Sequence, residues 1–316
     1  MRSVLVIRGG AIGDFVLTAP VFEALRARYP EVQIDILGYP EIAQLAVDRR
    51  HARSARRVDG AEWAGLFAVD GELRDGERAW LRSFDAVLCI WPDAEGVIRE
   101  NLRKAGVGRV MSIDPMPSKA GQHAVEHVAA QCERAGLPMA FTEPHLYPSE
   151  RDRWWAERFM RVSGAGWQPL MGMNPGSGSR RKNWAAAGFA EVARWWIERK
   201  RGHVLVISGP ADEAAMAEFT AAAPKEGVFA LANEELPRVA AAIERCDVYV
   251  GNDSGITHVA AAVRTPTVAI FGPTDPAQWG PRAPRVEIVT PAGGGGFDAL
   301  TAREVISGVM RATASR

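Results

Sequence analysis

The chain has 316 residues, 47% of them hydrophobic, with 38 basic side chains balanced by 38 acidic ones. That apolar content is enough for a buried core, and the length suits two domains. A net charge of zero argues against a general nucleic-acid binder. The first apolar run, Val4 to Ile7, is far too short for a signal-peptide core or a membrane span.

Taken in order, short apolar runs alternate with helical patterns. Strands are expected at 3–8, 32–38, 85–91 and 107–112, then at 169–173, 203–208, 228–231, 247–251 and 267–271. Continuous apolar runs such as Val87 to Trp91 and Val204 to Ile207 fit strands covered on both faces. Helices are expected at 14–28, 121–135, 151–163, 186–200, 236–245 and 299–313. Such β-α alternation builds parallel sheets flanked by helices. Pro138, Pro144 and Pro148 followed by Gly164-Ala165-Gly166 place a break between 140 and 168. Each half then reads as a doubly wound domain that binds ligands beyond the carboxyl ends of its strands. The division is 1–150, 151–298 and a terminal helix segment 299–316, tethered by Gly293 to Gly296 and free to pack back on the first domain.

The first loop, Arg8-Gly9-Gly10-Ala11-Ile12-Gly13-Asp14, follows strand one. Arg8 stands where a dinucleotide fingerprint needs its first glycine, so NAD is not indicated. Asp14 is either a helix cap or a general base able to accept a proton from an attacking hydroxyl. Arg49, Arg50, Arg53, Arg56 and Arg57 with His51 form a dense basic cluster. It is either a solvated face or a docking site for an acidic acceptor or an anionic membrane. His123-Ala124-Val125-Glu126-His127 matches an H-x-x-E-H metal pattern, but no third ligand is apparent. No D-x-D pair for a metal–diphosphate bridge and no G-x-S-x-G elbow occur. Three scattered cysteines, Cys89, Cys132 and Cys246, fit reduced thiols in a cytoplasmic setting.

In the second half, Asn174-Pro175-Gly176-Ser177-Gly178-Ser179-Arg180-Arg181-Lys182-Asn183-Trp184 follows a strand. Its small residues permit close ligand approach and its three cations can neutralise phosphate, although a solvated basic loop has the same composition. Gly209-Pro210-Ala211-Asp212-Glu213 ends a later strand with carboxylates suited either to a ribose or to a helix dipole. Gly251-Asn252-Asp253-Ser254-Gly255-Ile256-Thr257-His258 reads strand, tight turn, helix. A helix N-terminus there carries roughly half a positive charge and favours anions. Carboxylate, hydroxyl, glycine and imidazole around it suit a ligand that is part sugar and part phosphate; an ordinary capped turn is the alternative.

Together these segments resemble the ADP-heptose:lipopolysaccharide heptosyltransferase family, glycosyltransferase family 9. The matching blocks are Ile12 to Pro20, Asn174 to Ser177 with Lys182-Asn183-Trp184, Gly251 to Gly255 with His258, and Thr265 to Thr274. Their order and spacing hold across nearly the whole chain. The opening Arg8-Gly9-Gly10-Ala11 departs from the serine-containing segment of many relatives. The resemblance implies a GT-B fold, two Rossmann-like domains facing a cleft. It implies inverting transfer of a heptose or similar sugar from an ADP-sugar, without metal or other cofactor. The acceptor would be a lipopolysaccharide-core-like or other saccharide, lipid-linked or free, with contact to the cytoplasmic face of the inner membrane. By position, Gly13 is the loop glycine and Asp14 the base. Ser177 and Lys182 hold the diphosphate and Glu213 the ribose or adenine end. Asp253, Ser254, Gly255 and His258 hold sugar and phosphate. Two other classes compete: a sugar-nucleotide epimerase binding a UDP-sugar in a similar cleft, and a non-catalytic nucleotide-sugar binding protein. A binding module needs no base, so Asp14 argues against the second.

Overall fold

The computed structural model describes residues 1–314 except 120, 141 and 167. The chain divides into Met1–Glu143 and Pro144–Arg316. Every named strand is paired in parallel within its own unit.

The first unit is a five-stranded sheet of β1 (Ser3–Arg8), β2 (Gln33–Gly38), β3 (Ser54–Arg57), β4 (Ala86–Ile90) and β5 (Val110–Ile113), in the order β3-β2-β1-β4-β5. Val4 to Ile7 and Ala86 to Ile90 are buried on both faces, as their unbroken apolar runs demand. The order reverses between β1 and β4. β3 was not expected, because its sequence Ser-Ala-Arg-Arg has no apolar run. It is an edge strand, and charges on an edge discourage further pairing. The helix expected over 14–28 is two helices, Ile12–Val16 and Ala19–Arg28. Pro20 has no N–H to give and sits in the first turn of the second, where none is needed.

The arginine cluster is largely committed to this unit. Arg53 pairs with Asp35 at 2.5 Å, Arg57 with Glu41 and Asp59, and Arg50 with Glu23 at 3.4 Å. The Arg56 guanidinium lies 4.1 Å from the centroid of the Trp80 ring. The His-x-x-Glu-His segment is also structural. His123 caps the Ala124–Arg134 helix by accepting the Val125 N–H, and His127 bonds the amides of Gln122 and Gln131.

The second unit is a six-stranded sheet of β6 (Leu170–Asn174), β7 (His203–Ser208), β8 (Val228–Ala232), β9 (Val248–Asn252), β10 (Thr267–Ile270) and β11 (Val286–Val289), in the order β11-β10-β9-β6-β7-β8. The order reverses between β6 and β9. β11, also unexpected, is likewise a four-residue edge strand, with Glu287 breaking its apolar pattern. Phe189, Val192, Trp196, Val250 and Ile270 share the core with Val305 and Val309 of the terminal helix Ala302–Thr313, which packs beside β10 and β11. Residues 315 and 316 of that segment lie outside the described residues. Among the described residues, no helix is long and apolar enough to cross a membrane.

Candidate functional site

In the second unit the reversal of strand order places the carboxyl ends of β6 and β9 side by side, with Asn174 opposite Gly251. Loops leaving neighbouring strands in opposite directions open a crevice at such a point. Three loops converge there. Lys182, in the loop after β6, has its ammonium 2.8 Å from the Asp253 carboxylate at the end of β9. Thr274, in the loop after β10, donates its hydroxyl to the same Asp253 oxygen at 2.6 Å. Asp253 is buried, so its charge needs these two donors. Lys182 remains about one-third exposed, and an ammonium has three N–H groups, so it can also meet an anion from the crevice.

Asn252 fixes the loop geometry. Fully buried, it accepts the Trp184 N–H at 2.9 Å and donates to the Pro175 carbonyl at 2.8 Å, tying both ends of the loop after β6 to β9. Ser177 lies inside that loop, its hydroxyl bonded to Asn183 Oδ1 at 2.6 Å and the Ser179 carbonyl at 2.7 Å. Its role in the described geometry is to shape the loop. Ser254 caps the Gly255–Ala262 helix, accepting the Thr257 N–H. Ser254 and Gly255 are half-buried and His258, one turn on, is buried. The helix N-terminus therefore opens beside the Lys182–Asp253 pair, with the dipole that favours anions.

Glu213 is exposed at the start of the Glu213–Ala222 helix. The preceding carboxylate, Asp212, is the buried one. It accepts the Gly209 N–H at 2.8 Å and the Asn174 side-chain amide at 3.3 Å. A Cβ on Gly176 would stand 2.0 Å from Asp212 Oδ1, so the loop after β6 rests on this carboxylate and tolerates no side chain there. Asn252, Thr274 and Asp212 were legible only as motif neighbours, because their contacts join segments far apart in sequence.

In the first unit the reversal lies between β1 and β4, and the loop after β1 carries Asp14. Ala11 is the N-cap and Asp14 the third helical residue, reaching back to accept the Ala11 N–H at 3.0 Å. Gly10 sits at φ +95, and a Cβ on it would lie 2.8 Å from Asp14 Oδ2. Gly13 accepts the Leu17 N–H inside the turn. Beneath them Arg8 is buried. It donates from Nε to the Thr18 hydroxyl at 3.0 Å and from Nη2 to the Asp14 carbonyl at 3.1 Å. Arg8 Nη2 lies 3.9 Å from Asp14 Oδ1. Burial lowers the Arg8 pKa and the Asp14 charge opposes that. The Asp14 side chain is 38% exposed, so one oxygen is held by the backbone while the carboxylate still faces solvent. Both the cap and the proton-acceptor readings are compatible with that geometry.

Among the described residues no group of three or more His, Cys, Asp or Glu side chains is placed to hold a metal ion.

The sequence profile of glycosyltransferase family 9 (heptosyltransferase) matches residues 99–294. Lipopolysaccharide heptosyltransferase 2 of Salmonella typhimurium is 27% identical over 301 residues, 87% of this chain and 84% of that one. A glycosyl transferase family 9 structure from Veillonella parvula superposes with a TM-score of 0.82 at 20% identity, covering 100% of this chain and 98% of the other. The E. coli ADP-heptose lps heptosyltransferase II superposes with a TM-score of 0.78 at 22% identity, covering 99% of each chain.

Proposed function

The chain belongs to glycosyltransferase family 9, the heptosyltransferases, and from that premise we propose that it moves a heptose from an ADP-sugar to a saccharide of the lipopolysaccharide core. It is a glycosyltransferase of GT-B fold. The observation that carries the donor reading is the meeting of Lys182, Asp253 and Thr274 from three loops at the β6/β9 crevice, beside the N-terminus of the Gly255–Ala262 helix. A diphosphate fits there: Lys182 meets its charge and the helix N-terminus its oxygens. His258 and Ser254 flank the sugar side, and Asp212 shapes the loop that closes over the nucleotide. Glu213 serves as an exposed contact to the ribose end.

In the proposed reaction an acceptor hydroxyl attacks the anomeric carbon of the donor as its proton passes to the Asp14 carboxylate. The bond from that carbon to the diphosphate oxygen breaks, and ADP leaves with the electron pair. One displacement inverts the anomeric configuration. The buried guanidinium of Arg8 and the Ala11 N–H hold Asp14 in a fixed rotamer, which a positioned base requires. The negative charge that develops on the leaving diphosphate is met by Lys182 and the helix N-terminus.

A transfer assay over a panel of nucleotide sugars, with heptose-bearing core saccharides as acceptors, tests the reading. ADP-heptose should be consumed only with acceptor present, giving a product of opposite anomeric configuration. Preference for a UDP-sugar, or epimerisation of a free nucleotide sugar, overturns it.

A further inference from the structure

At the carboxyl edge of the first sheet the register sets three residues in line. Gly38 of β2 lies opposite Arg8 of β1, and Arg8 opposite Ile90 of β4. The next residues along these strands are Tyr39, Gly9 and Trp91, so Gly9 stands between two aromatic positions. The Trp91 ring lies directly on the Gly9 backbone, where a Cβ would overlap Cζ3 and Cη2 of the indole. Phe67 flanks the same ring, with centroids 4.9 Å apart. Tyr39, Phe67 and Trp91 are all half-buried and pack on the core of this unit. The loop that carries Trp91 is held in place. The Trp91 N–H donates to the Ile113 carbonyl at 3.1 Å, and Asp93 accepts the Ile98 and Arg99 N–H groups at 3.1 and 3.0 Å. The indole N–H of Trp91 has no acceptor among the described residues, and unlike that of Trp63 it is not enclosed by the fold. Gly10, the neighbour of Gly9, is the residue whose backbone lies against the Asp14 carboxylate. Consecutive Cα atoms stand about 3.8 Å apart, so indole and carboxylate border adjacent residues of one loop.

We propose that Trp91 is an acceptor-binding residue, its indole being the platform for the sugar ring whose hydroxyl attacks. The inference rests on the reaction proposed above, in which Asp14 takes the acceptor's proton. A base must come within hydrogen-bond reach of the proton it abstracts. The sugar that bears the hydroxyl therefore sits at Gly9 and Gly10, where Trp91 is the large apolar surface. A pyranose has an apolar face of C–H groups and a rim of hydroxyls. An indole is its complement, with a flat apolar face for the C–H groups and one N–H donor for a hydroxyl. Glycine at position 9 lets the ring lie this close to the loop of the base. A tryptophan that served only as packing would enclose its N–H against an acceptor. Trp91 instead leaves that donor open at the ligand-binding edge of the sheet. The platform carries no charge, so it selects a sugar face rather than a phosphate.

Steady-state transfer from ADP-heptose to a heptose-bearing core saccharide tests it, together with calorimetric titration of that saccharide into the donor-free enzyme. Trp91→Ala should raise the acceptor KM and the saccharide Kd about tenfold, the scale of a lost ring face and one hydrogen bond. Trp91→Phe keeps a ring and loses the N–H, and should cost about threefold. ADP affinity should match wild type in both variants. Turnover at saturating acceptor should hold, the signature of lost ground-state binding. A residue that merely supported the Asp14 loop would lower kcat through the base and leave KM unmoved. Circular dichroism and the melting midpoint report the fold. If Trp91→Ala does not fold, Trp91→Phe, which keeps a ring on Gly9, decides by the same readouts. Wild-type acceptor KM and saccharide Kd in a folded variant overturn the proposal, and so does a fall in kcat alone. Failure of the proposed reaction looks different: wild type then consumes no ADP-heptose with acceptor present, while the titration still compares Trp91 with its variants.

Discussion

Lys182 and Asp253 form an ion pair at 2.8 Å although they stand 71 positions apart in the sequence. Asp253 is the more buried partner, so the pair is held by the need to satisfy a buried carboxylate rather than by surface attraction. A diphosphate reaching Lys182 shares a cation already fixed in place, which lowers the cost of ordering it on binding.

Lys182→Ala should therefore weaken ADP binding by about 1.5–3 kcal/mol, the scale of a hydrogen bond to a charged group. The same change leaves Asp253 with Thr274 as its remaining donor and should lower the unfolding midpoint. Calorimetric titration with ADP reads the first effect and urea unfolding the second. Unchanged ADP affinity in a folded variant removes Lys182 from the donor site.

Asp14→Asn should keep the Ala11 contact, because the amide oxygen can still accept that N–H. Stability and ADP affinity should stay close to wild type while turnover falls about 10²–10⁴-fold, the usual contribution of a general base. Steady-state kinetics on both proteins check it. Wild-type turnover in the variant would leave Asp14 a helix-turn residue only.

Asn252→Ala tests the loop anchor. It removes the partners of a buried N–H at Trp184 and a buried carbonyl at Pro175. The expected loss is about 1–3 kcal/mol of stability per unsatisfied group, with weaker ADP binding as the Lys182 loop loosens. Denaturant unfolding and ADP titration should move together. A variant that loses stability yet binds ADP like wild type would separate the anchor from the site.

The three cysteines should be silent in the native state. Burial pushes the thiols of Cys89 and Cys132 up to about 12, and raises that of Cys246 as well. At pH 8 each stays protonated when folded, so iodoacetamide should react slowly until denaturant is added. An unfolded thiol ionises near pH 8.5 while the native thiols hold their protons. Their contribution to stability is complete below that pH and declines as pH rises toward 12. Cys132→Ala should flatten part of the alkaline fall in stability measured by urea unfolding.

Transfer should survive chelation, because Lys182 and the Gly255–Ala262 helix N-terminus can carry the leaving diphosphate's charge. Turnover measured in excess EDTA should match the untreated rate. Loss restored by Mg²⁺ or Mn²⁺ would overturn the metal-free mechanism.

Hydrophobic patterning is sufficient to place the central strands and the loops that follow them. Strands such as β1, β4 and β9 are buried on both faces, and only unbroken apolar runs satisfy that environment. The Asp14, Lys182 and Asp253 loops were legible because each combines small residues with charge directly after such a run. Edge strands β3 and β11 were not legible, since one open side removes the demand for apolar residues and leaves Arg56, Arg57 and Glu287 acceptable. Which carboxylate after β7 is buried depends instead on packing. Asp212 and Glu213 are chemically alike in sequence, and it is the Gly176 backbone lying against Asp212 that distinguishes them. The basic residues were decided the same way. A guanidinium at Arg53 or Arg57 is neutralised by carboxylates brought in by the fold, whereas those at Arg151, Arg158 and Arg161 meet no carboxylate among the described residues. Periodicity encodes which face of an element is covered. Pairing between side chains far apart in sequence is fixed by packing, because it depends on where each backbone is placed.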